Sequence, residues 1–457
     1  MISRSSQAMW ASLLILVPSL LWLLIPRPEV ILVLAVLPLG ALFVIHGTFW
    51  FVCLFVLFSF FRLHEAFPLI YNFKIPLLLS LGALSGLLWH TLISMTLKPY
   101  WHKCLTLLCI FWMLVILGIV TSSNPGLAIE YFKNIYWKIK VMTLAITWLI
   151  NDEFKLNKMA VLIVVCGLLV SSVALFNSAN GIGLVEGSRV TIGRNLGSML
   201  GDPNDLSLVL MFPLAFALGF AMTKEMPTSY RILGLVVSVL TIFAVLATQS
   251  RGGLLGSLAV FGIFALKRIK SKTLLVLLCG IVAMVLFVAA GISGRKSGGA
   301  AEAGIDESAM GRLYAWEAAF KMALDNPITG VGLQNFYANY FFYSSHWDGL
   351  NHAVHSTWFG ILAETGFLGL GIFIALIVVL IKCAKRNQNQ IGKFSSPHPI
   401  LISSSEAIYA GLVGTIVSGT FLTQGFTWPI YILASLNICV SHIVQKNLQK
   451  QNQNENS

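Results

Sequence analysis

Charged residues are scarce in this chain. They make up 11% of its 457 residues, whereas soluble globular proteins carry about 25%. Hydrophobic residues account for 57% of the sequence, and apolar runs of membrane-spanning length recur along most of it. Because these runs are continuous and do not alternate with polar residues, they exclude a soluble domain and a barrel of strands. The pattern predicts an all-α, polytopic transmembrane helical bundle.

Sequence motifs for nucleotides and metals are also missing. The chain has no G-x-G-x-x-G fingerprint and no phosphate-binding loop, which argues against a nucleotide-sugar donor. Its seven cysteines form no Cys-x-x-Cys pair, and their spacing indicates no cluster with histidine. We therefore expect the cysteines to be small buried hydrophobes, and we expect no metal and no other cofactor.

Positive charge, by contrast, is present in excess. The net charge is +12, and most of the Lys and Arg residues stand in short loops between apolar runs. In a membrane protein such loops face the cytoplasm, so a nucleic-acid partner is not needed to explain the charge. The basic segments that we assign to the cytoplasm are 267–272, 382–393 and the C-terminal tail.

This orientation places the other polar segments on the opposite face. They are 177–203, the turn at Arg251, the long loop 294–355 and the turn 422–427. We expect roughly 12 to 14 spans of about 20 residues. The first apolar run, 9–26, lacks a small-residue cleavage site and is expected to be a retained helix. The predicted organisation is N-terminal helices (1–176), central helices (177–293), the large loop (294–355), C-terminal helices (356–446) and a disordered tail (447–457).

The long loop becomes helical in pattern from Ser308. Its apolar residues recur at three- and four-residue spacing, and Asn326-Pro327 ends the predicted helix. The predicted apolar face consists of Leu313, Trp316, Phe320 and Ala323. An aromatic run, 336–343, follows. The pattern favours an amphipathic helix on the membrane surface, and a plain cap over the bundle is the alternative.

The first candidate site is the segment Gly201-Asp-Pro-Asn-Asp205, preceded by Arg194. The Asp-Pro-Asn sequence indicates a turn followed by a helix start, with Asn204 or Asp205 as possible N-cap. Arg194 lies between spans on the non-cytoplasmic side, against the orientation rule. It either reaches lipid headgroups or binds an anion. Arg189 is a weaker second candidate for the same role.

The second candidate site is Gln249-Ser-Arg-Gly-Gly253, where two spans meet with almost no loop between them. Placing a charged arginine at or just inside the membrane surface costs free energy, so Arg251 is a functional candidate. A structural salt bridge is the alternative explanation for Arg251.

The third candidate site is His352-Ala-Val-His355-Ser356, at the end of the long loop. An imidazole can accept a proton near neutral pH. A cap or an ordinary hydrogen-bond partner at the start of a helix is the alternative.

Together these residues resemble the O-antigen ligase and polymerase superfamily of bacterial inner membranes. The resemblance covers roughly residues 189–370 and is carried by four segments in order along the chain. The segments are Arg194 with Gly201–Asp205, Ser250–Gly253, Gly311-Arg312 with Trp316, Pro327, Gly330 and Gly332, and His355-Ser356 followed by Gly366-Phe-Leu-Gly369. The His signature is similar to that of ligases, although protein O-oligosaccharyltransferases carry a related one.

The resemblance implies an enzyme that faces the periplasm and is independent of metal and nucleotide. It would move a glycan from an undecaprenyl-diphosphate carrier to an acceptor hydroxyl, with inversion; for ligases the acceptor is lipid A–core. His355 would be the general base, and Arg194 and Arg251 would hold the diphosphate. The further substrate-binding candidates are Arg189, Asn204, Arg312, His352 and Ser356.

Three alternatives to a ligase remain at this point. The first two are an O-antigen polymerase and a protein O-oligosaccharyltransferase, which differ from a ligase in the acceptor. The third is a transporter of lipid-linked sugar, which would predict charges near the middle of several spans and internal repeats. The sequence shows neither feature and places its charges at one boundary.

Overall fold

The computed structural model describes residues 28–271 and 307–455, together with Ser19 and a few positions between 273 and 285. Within these ranges the chain is helical, with one isolated antiparallel bridge between Val185 and Arg189. The prediction of an all-α membrane bundle is confirmed. The predicted first helix, 9–26, most of the predicted span 273–293 and the start of the large loop lie outside the described residues.

The first half of the described chain contains eight helices. They are α1 (Pro28–His46), α2 (Thr48–Phe61), α3 (Leu63–Ala66), α4 (Ile75–Leu88), α5 (Lys103–Val120), α6 (Pro125–Tyr131), α7 (Trp137–Leu149) and α8 (Glu153–Ala179). Short π-helical segments extend α4 over Trp89–Ile93 and join α6 to α7 over Phe132–Tyr136.

The second half contains the helices that carry the candidate site residues. They are α9 (Pro203–Met222), α10 (Thr228–Thr248), α11 (Arg251–Arg268), α12 (Glu307–Asp325), α13 (Phe336–Tyr343), α14 (Thr357–Ile391), α15 (Pro399–Gly419) and α16 (Trp428–Glu455). The last helix continues through the segment that we expected to be disordered, as far as Glu455.

Eight helices in the described residues are long and apolar enough to cross a membrane, or nine if the bent pair α1 and α2 counts as one span. This count is lower than the expected 12 to 14 spans for two reasons. Two of the predicted spans lie mostly outside the described residues. Two others form helices that are too short or too charged to count as spans. Helix α7 has 13 residues, and α11 carries Arg251, Lys267 and Arg268 within its 18 residues.

The chain divides into two compact units. The described residues up to Phe55 together with Ile75–Lys98 form the first, and Val56–Lys74 together with the described residues from Pro99 onward form the second. In the first unit, the His90 ring donates a hydrogen bond to the Ile45 carbonyl oxygen at 2.9 Å. All of the candidate site residues belong to the second unit.

The core of the second unit is centred on α9. Its central residues from Leu206 to Phe220 are all buried, and they pack against α11 and α15. Such a helix, apolar on every side, is typical of a bundle centre. The surrounding helices expose apolar side chains instead, among them Ile232, Leu235 and Phe243 of α10. These exposed faces are the surfaces expected to contact lipid.

One end of the second unit is basic. Lys267 and Arg268 at the end of α11 donate to the Glu406 carboxylate at 3.1 and 3.3 Å. Arg268 also donates to the carbonyl oxygen of Met222, the last residue of α9, at 2.9 Å. The ends of α9 and α11 therefore meet near the start of α15. The starts of α9 and α11 lie at the opposite end, which we call the site end.

The described part of the large loop forms a small hydrophobic core together with the start of α14. Ala315, Ala319 and Met322 of α12 pack against α13 and the residues before α14. The predicted helix is confirmed, but the predicted apolar face is divided between two sides. Trp316 packs against this buried core, whereas Leu313 and Phe320 are 47% and 45% exposed. The small alanines fit the buried side, whereas Leu313 and Phe320 face outward.

A break in α14 positions this loop. Gly366 has φ +69°, and a Cβ at this position would lie 2.5 Å from the Pro327 carbonyl oxygen. The break frees the Phe367 N–H to donate to that oxygen at 2.8 Å, and Val331 N–H donates to the Ala363 carbonyl oxygen at 2.8 Å. Only glycine adopts this conformation readily and leaves room for the crossing backbone. The Gly-x-x-Gly signature is thus a crossing point between α14 and the large loop.

Candidate active site

The start of α9 is held by Asp202. Its carboxylate accepts from the backbone N–H groups of Asn204 and Asp205 at 2.7 and 3.3 Å. Asp202 is therefore the N-cap, and neither Asn204 nor Asp205 takes that role. An aspartate cap matches the positive end of the helix dipole. The cap leaves the Asn204 side chain available for other partners.

Asn204 joins three segments of the site end. Its Oδ1 accepts from Ser250 Oγ at 2.9 Å and from Arg189 Nη2 at 3.1 Å. Ser250 is the N-cap of α11 and accepts from Gly253 N–H at 3.2 Å. Arg189 is 5% exposed and also donates to the Thr248 carbonyl oxygen at 3.2 Å. The arrangement fixes the starts of α9 and α11 side by side.

Gln424 links the start of α9 to that of α14. Its side chain donates to Asp205 Oδ1 at 3.2 Å, and its backbone N–H donates to Thr357 Oγ1 at 3.0 Å. Thr357 in turn donates to the Leu422 carbonyl oxygen at 2.6 Å. With the bond between Asn204 and Ser250, these contacts bring together the starts of α9, α11 and α14. Helix starts carry partial positive charge and unpaired N–H groups, a combination that favours anions.

His355 lies directly before α14 in an unusual backbone conformation, with φ +45°. The residue on each side is anchored. Trp316 Nε1 donates to the Val354 carbonyl oxygen at 3.0 Å, and the Trp316 ring stacks on Phe359 at 5.0 Å. On the other side, buried Ser356 caps α14 through Phe359 N–H at 3.5 Å. The large loop and the helix start together fix the position of this imidazole.

The electrostatic surroundings of His355 bring in two further segments. Burial lowers the pKa of His355 below its ordinary value, the positive charge of Arg312 lowers it further, and the negative charge of Asp202 opposes both. Arg312 of α12 and the N-cap of α9 therefore both contribute to the electrostatic potential at this imidazole. The lowered pKa keeps the ring neutral at pH 7, as a general base requires.

His352 is held differently from His355. Its Nε2 donates to both Asp348 carboxylate oxygens at 3.0 Å, and its ring meets Tyr340 edge to face at 5.4 Å. This hydrogen bond lowers the pKa of the exposed Asp348 carboxyl. The positive charge of a protonated His352 also lowers the pKa of His355, so the two rings are near neighbours.

Three arginines of the site end have exposed or half-exposed side chains: Arg194, Arg251 and Arg312. Arg194 Nη1 donates to the Gly201 carbonyl oxygen at 3.2 Å, directly before the Asp202 cap. The Arg312 guanidinium lies 6.0 Å from the centre of the Phe421 ring. Phe421 also contacts the start of α11, since a Cβ on Gly252 would lie 3.3 Å from the Phe421 Cβ. Arg312 and the helix turn that carries Arg251 therefore share a neighbour.

A family model described as O-antigen ligase matches residues 236–374. This range of the chain is therefore similar to an O-antigen ligase domain. The matched range includes Arg251, Arg312, His355 and the break at Gly366, whereas Arg194 and Asp202 precede it. This finding supports the O-antigen ligase superfamily and, with it, a membrane glycosyltransferase. None of the curated protein sequences matches the chain.

Within and around the matched range, the structure adds residues that the sequence did not single out as functional. Gln424 is 4% exposed and joins two helix starts. The sequence singled out Trp316 only as part of an apolar helix face and of the resemblance. In the structure it donates to the Val354 carbonyl oxygen, next to His355. Asp202, named only as part of a turn, is the carboxylate that acts on His355. Glutamine in a short turn and tryptophan on a helix are too common to stand out without the fold.

Proposed function

We propose that this protein moves a glycan from an undecaprenyl-diphosphate carrier to an acceptor hydroxyl at the periplasmic face of the bacterial inner membrane. We further propose that the acceptor is lipid A–core, so that the reaction is O-antigen ligation in lipopolysaccharide biosynthesis. One observation carries the proposal: hydrogen bonds of Asn204 and Gln424 hold together the starts of α9, α11 and α14, and His355 directly precedes α14. The match of residues 236–374 to the O-antigen ligase family model supports it.

The proposed reaction is a direct displacement. Neutral His355 accepts the proton of the acceptor hydroxyl while its oxygen attacks the anomeric carbon of the donor sugar. The bond from that carbon to the diphosphate oxygen breaks, and undecaprenyl diphosphate leaves with the electron pair. Attack opposite to the leaving group inverts the anomeric centre. The carboxylate of Asp202 stabilises the imidazolium that forms on His355.

The leaving diphosphate needs positive charge near lipid depth. Arg251, Arg194 and Arg312 supply guanidinium groups, which match phosphate oxygens with paired hydrogen bonds. The convergent starts of α9, α11 and α14 add partial positive charge from their backbones. In this proposal no metal ion or nucleotide takes part, because these fixed cations stabilise the charge that develops.

The remaining candidates have supporting roles in this proposal. Arg189 and Asn204 hold the starts of α9 and α11 together, and Ser356 holds the start of α14. They would act on substrate through the arginines and the histidine that they position. His352, which is 41% exposed beside Asp348, would contact the acceptor.

A reconstituted transfer assay tests the proposal. The purified full-length protein is given a defined carrier-linked glycan and either lipid A–core or a second carrier-linked glycan, with neither metal nor nucleotide added. We expect transfer to lipid A–core. Transfer only to the second carrier-linked glycan would make the protein a polymerase, and transfer to neither acceptor or to a protein alone would overturn the ligase proposal. In vesicles, movement of the glycan across the bilayer without transfer would instead indicate a transporter.

A further inference from the structure

Three side chains with metal-binding atoms meet far from the candidate active site. His102 precedes α5, Cys104 lies in the first turn of that helix, and Cys383 belongs to the second half of α14. Their ligand atoms all lie within 4.8 Å of one another. The expectation that no cysteine clusters with histidine was wrong here. Cys383 is 281 positions from His102 in the sequence. Sequence spacing does not reveal a contact between such distant segments.

We propose that His102, Cys104 and Cys383 bind a soft divalent metal ion, with zinc as the best match. Two thiolates and one imidazole form a ligand set that zinc binds with tetrahedral geometry. Bonds of about 2.3 Å to sulfur and 2.0 Å to nitrogen separate neighbouring ligand atoms by roughly 3.5 to 3.8 Å. The distance from Cys383 Sγ to His102 Nε2 is 4.0 Å, so small side-chain movements bring the ligands into place.

The charge of such a site balances. A divalent cation with two thiolates and a neutral imidazole has no net charge, which suits a group half-buried among helices. Binding releases the two thiol protons, so the affinity rises with pH.

The neighbouring polar groups fit a metal site. Asn387 Nδ2 donates to Cys383 Sγ at 3.8 Å, and an N–H group in that place stabilises a metal-bound thiolate. Ser441 Oγ of α16 lies 3.4 Å from His102 Nε2 and adds a polar group beside the cluster.

His102 changes its hydrogen bonding when metal binds. Its Nδ1 accepts the Cys104 N–H at 3.2 Å, so the neutral ring carries its proton on Nε2. Binding of the metal at Nε2 moves this proton to Nδ1, and the hydrogen bond from Cys104 N–H is lost. The bond from Nε2 to the metal would then hold the His102 ring at the start of α5 in place of the lost hydrogen bond.

The site would join α5 to α14 independently of the proposed reaction. Cys383 is separated from the start of α14 by roughly 40 Å of helix, and that start adjoins His355. The metal therefore has no place in the chemistry that we propose. Its role would be to hold two packed helices together at the end remote from the substrate.

Metal content and cobalt spectroscopy test the proposal. We expect the full-length protein, purified in detergent without chelator, to carry about one zinc ion per chain or to bind one when zinc is added. Replacement with Co²⁺ should give the intense visible and near-ultraviolet bands of tetrahedral cobalt thiolate. Cys104→Ser and Cys383→Ser should each lose the metal. Cys109→Ser, on the same helix but outside the cluster, should retain it.

Thiol alkylation followed by mass spectrometry gives a readout that needs no variant. Added zinc should protect the partly exposed Cys383 of the wild-type protein, but not Cys109, which is also partly exposed. Failure of the wild-type protein to bind zinc or cobalt would overturn the proposal, as would equal metal content in all variants. A disulfide between Cys104 and Cys383 in the purified protein, without metal binding after reduction, would overturn it as well.

Discussion

His355 combines a strained backbone with a buried, polar environment. Residues other than glycine rarely adopt φ +45°, and such conformations concentrate at functional sites. Its neighbours on both sides are anchored, one by Trp316 and one by the start of α14. This arrangement fixes the direction of one imidazole, as proton transfer in a short-lived transition state requires.

His355→Ala should abolish glycan transfer while the protein still folds in the membrane. Removal of a general base costs roughly 10²- to 10⁴-fold in rate. The measurement is turnover in the reconstituted assay, with folding checked by thermal unfolding and gel filtration. His346→Ala is the matched control, because His346 is an exposed histidine of the same loop that stacks on Tyr314. Wild-type turnover in His355→Ala would remove this residue from the mechanism.

The pH dependence of transfer should report the charges around His355. Turnover should fall at acid pH as the imidazole becomes protonated, with a midpoint below its ordinary pKa of about 6.5. Arg312→Gln removes a charge that lowers the pKa of His355, so the acid midpoint should move to higher pH. Asp202→Asn removes a charge that raises this pKa, so the midpoint should move to lower pH, and asparagine can still cap α9. Shifts in the same direction, or none, would contradict this assignment.

Arg251→Lys should lower turnover by roughly 100-fold or more. Lysine keeps the charge but lacks the planar fork that pairs with phosphate oxygens. Arg268→Lys is the control at the other end of the same helix, where the arginine contacts Glu406. This control should retain activity. Near-normal turnover in Arg251→Lys would leave Arg251 with a structural role only.

At the scale of elements, the break in α14 connects the family signature to the fold. Gly366 allows the chain after Pro327 to cross the helix. Just beyond the crossing, the Glu364 carboxylate accepts from Gln334 N–H at 2.8 Å. The large loop is thereby fixed against α14, and the same loop supplies Trp316 and Arg312 to the site.

Gly366→Ala should destabilise the protein by more than about 1–2 kcal/mol, because a side chain both disfavours the left-handed backbone and meets the crossing carbonyl. The measurement is the midpoint of thermal unfolding in detergent. Gly371→Ala, five residues further along the same helix, is the control, since a Cβ there has nothing within 4 Å. Equal midpoints for the two variants would show that the crossing does not depend on glycine.

Helices could be predicted from sequence, but their mutual contacts could not. Apolar runs predict helices of spanning length because they depend on local composition. The helix 307–325 followed from spacing, yet its outward face did not, since Leu313 and Phe320 and the buried alanines all fit an apolar pattern. The N-cap of α9 was assigned to the wrong residue because three adjacent polar residues can each cap a helix.

For the site as a whole, the sequence predicted which residue types take part but not how they are held. Arg189 resembled an anion-binding residue, and the structure instead shows it 5% exposed and bonded to Asn204 and Thr248. Gln424 meets Asp205 across 219 positions. Contacts over such distances depend on tertiary packing, which no local pattern encodes.

At the scale of the whole molecule, charge separates two ends of the second unit. Lys267, Arg268 and Glu406 stand at the basic end. The helix starts around Asn204 and Gln424 stand at the site end. If the basic end faces the cytoplasm, as the orientation rule predicts, the site end faces the compartment in which we propose that the carrier-linked glycan is used.

Cysteine labelling in intact cells tests this sidedness most directly. In a variant without the native cysteines, single cysteines are introduced by Ser345→Cys, in the exposed part of the large loop, and by Lys393→Cys, directly after α14. A thiol reagent that passes the outer membrane but not the inner one should label position 345, and should label position 393 only after the cells are broken. Labelling of 393 but not 345 in intact cells would place the site in the cytoplasm and contradict the account.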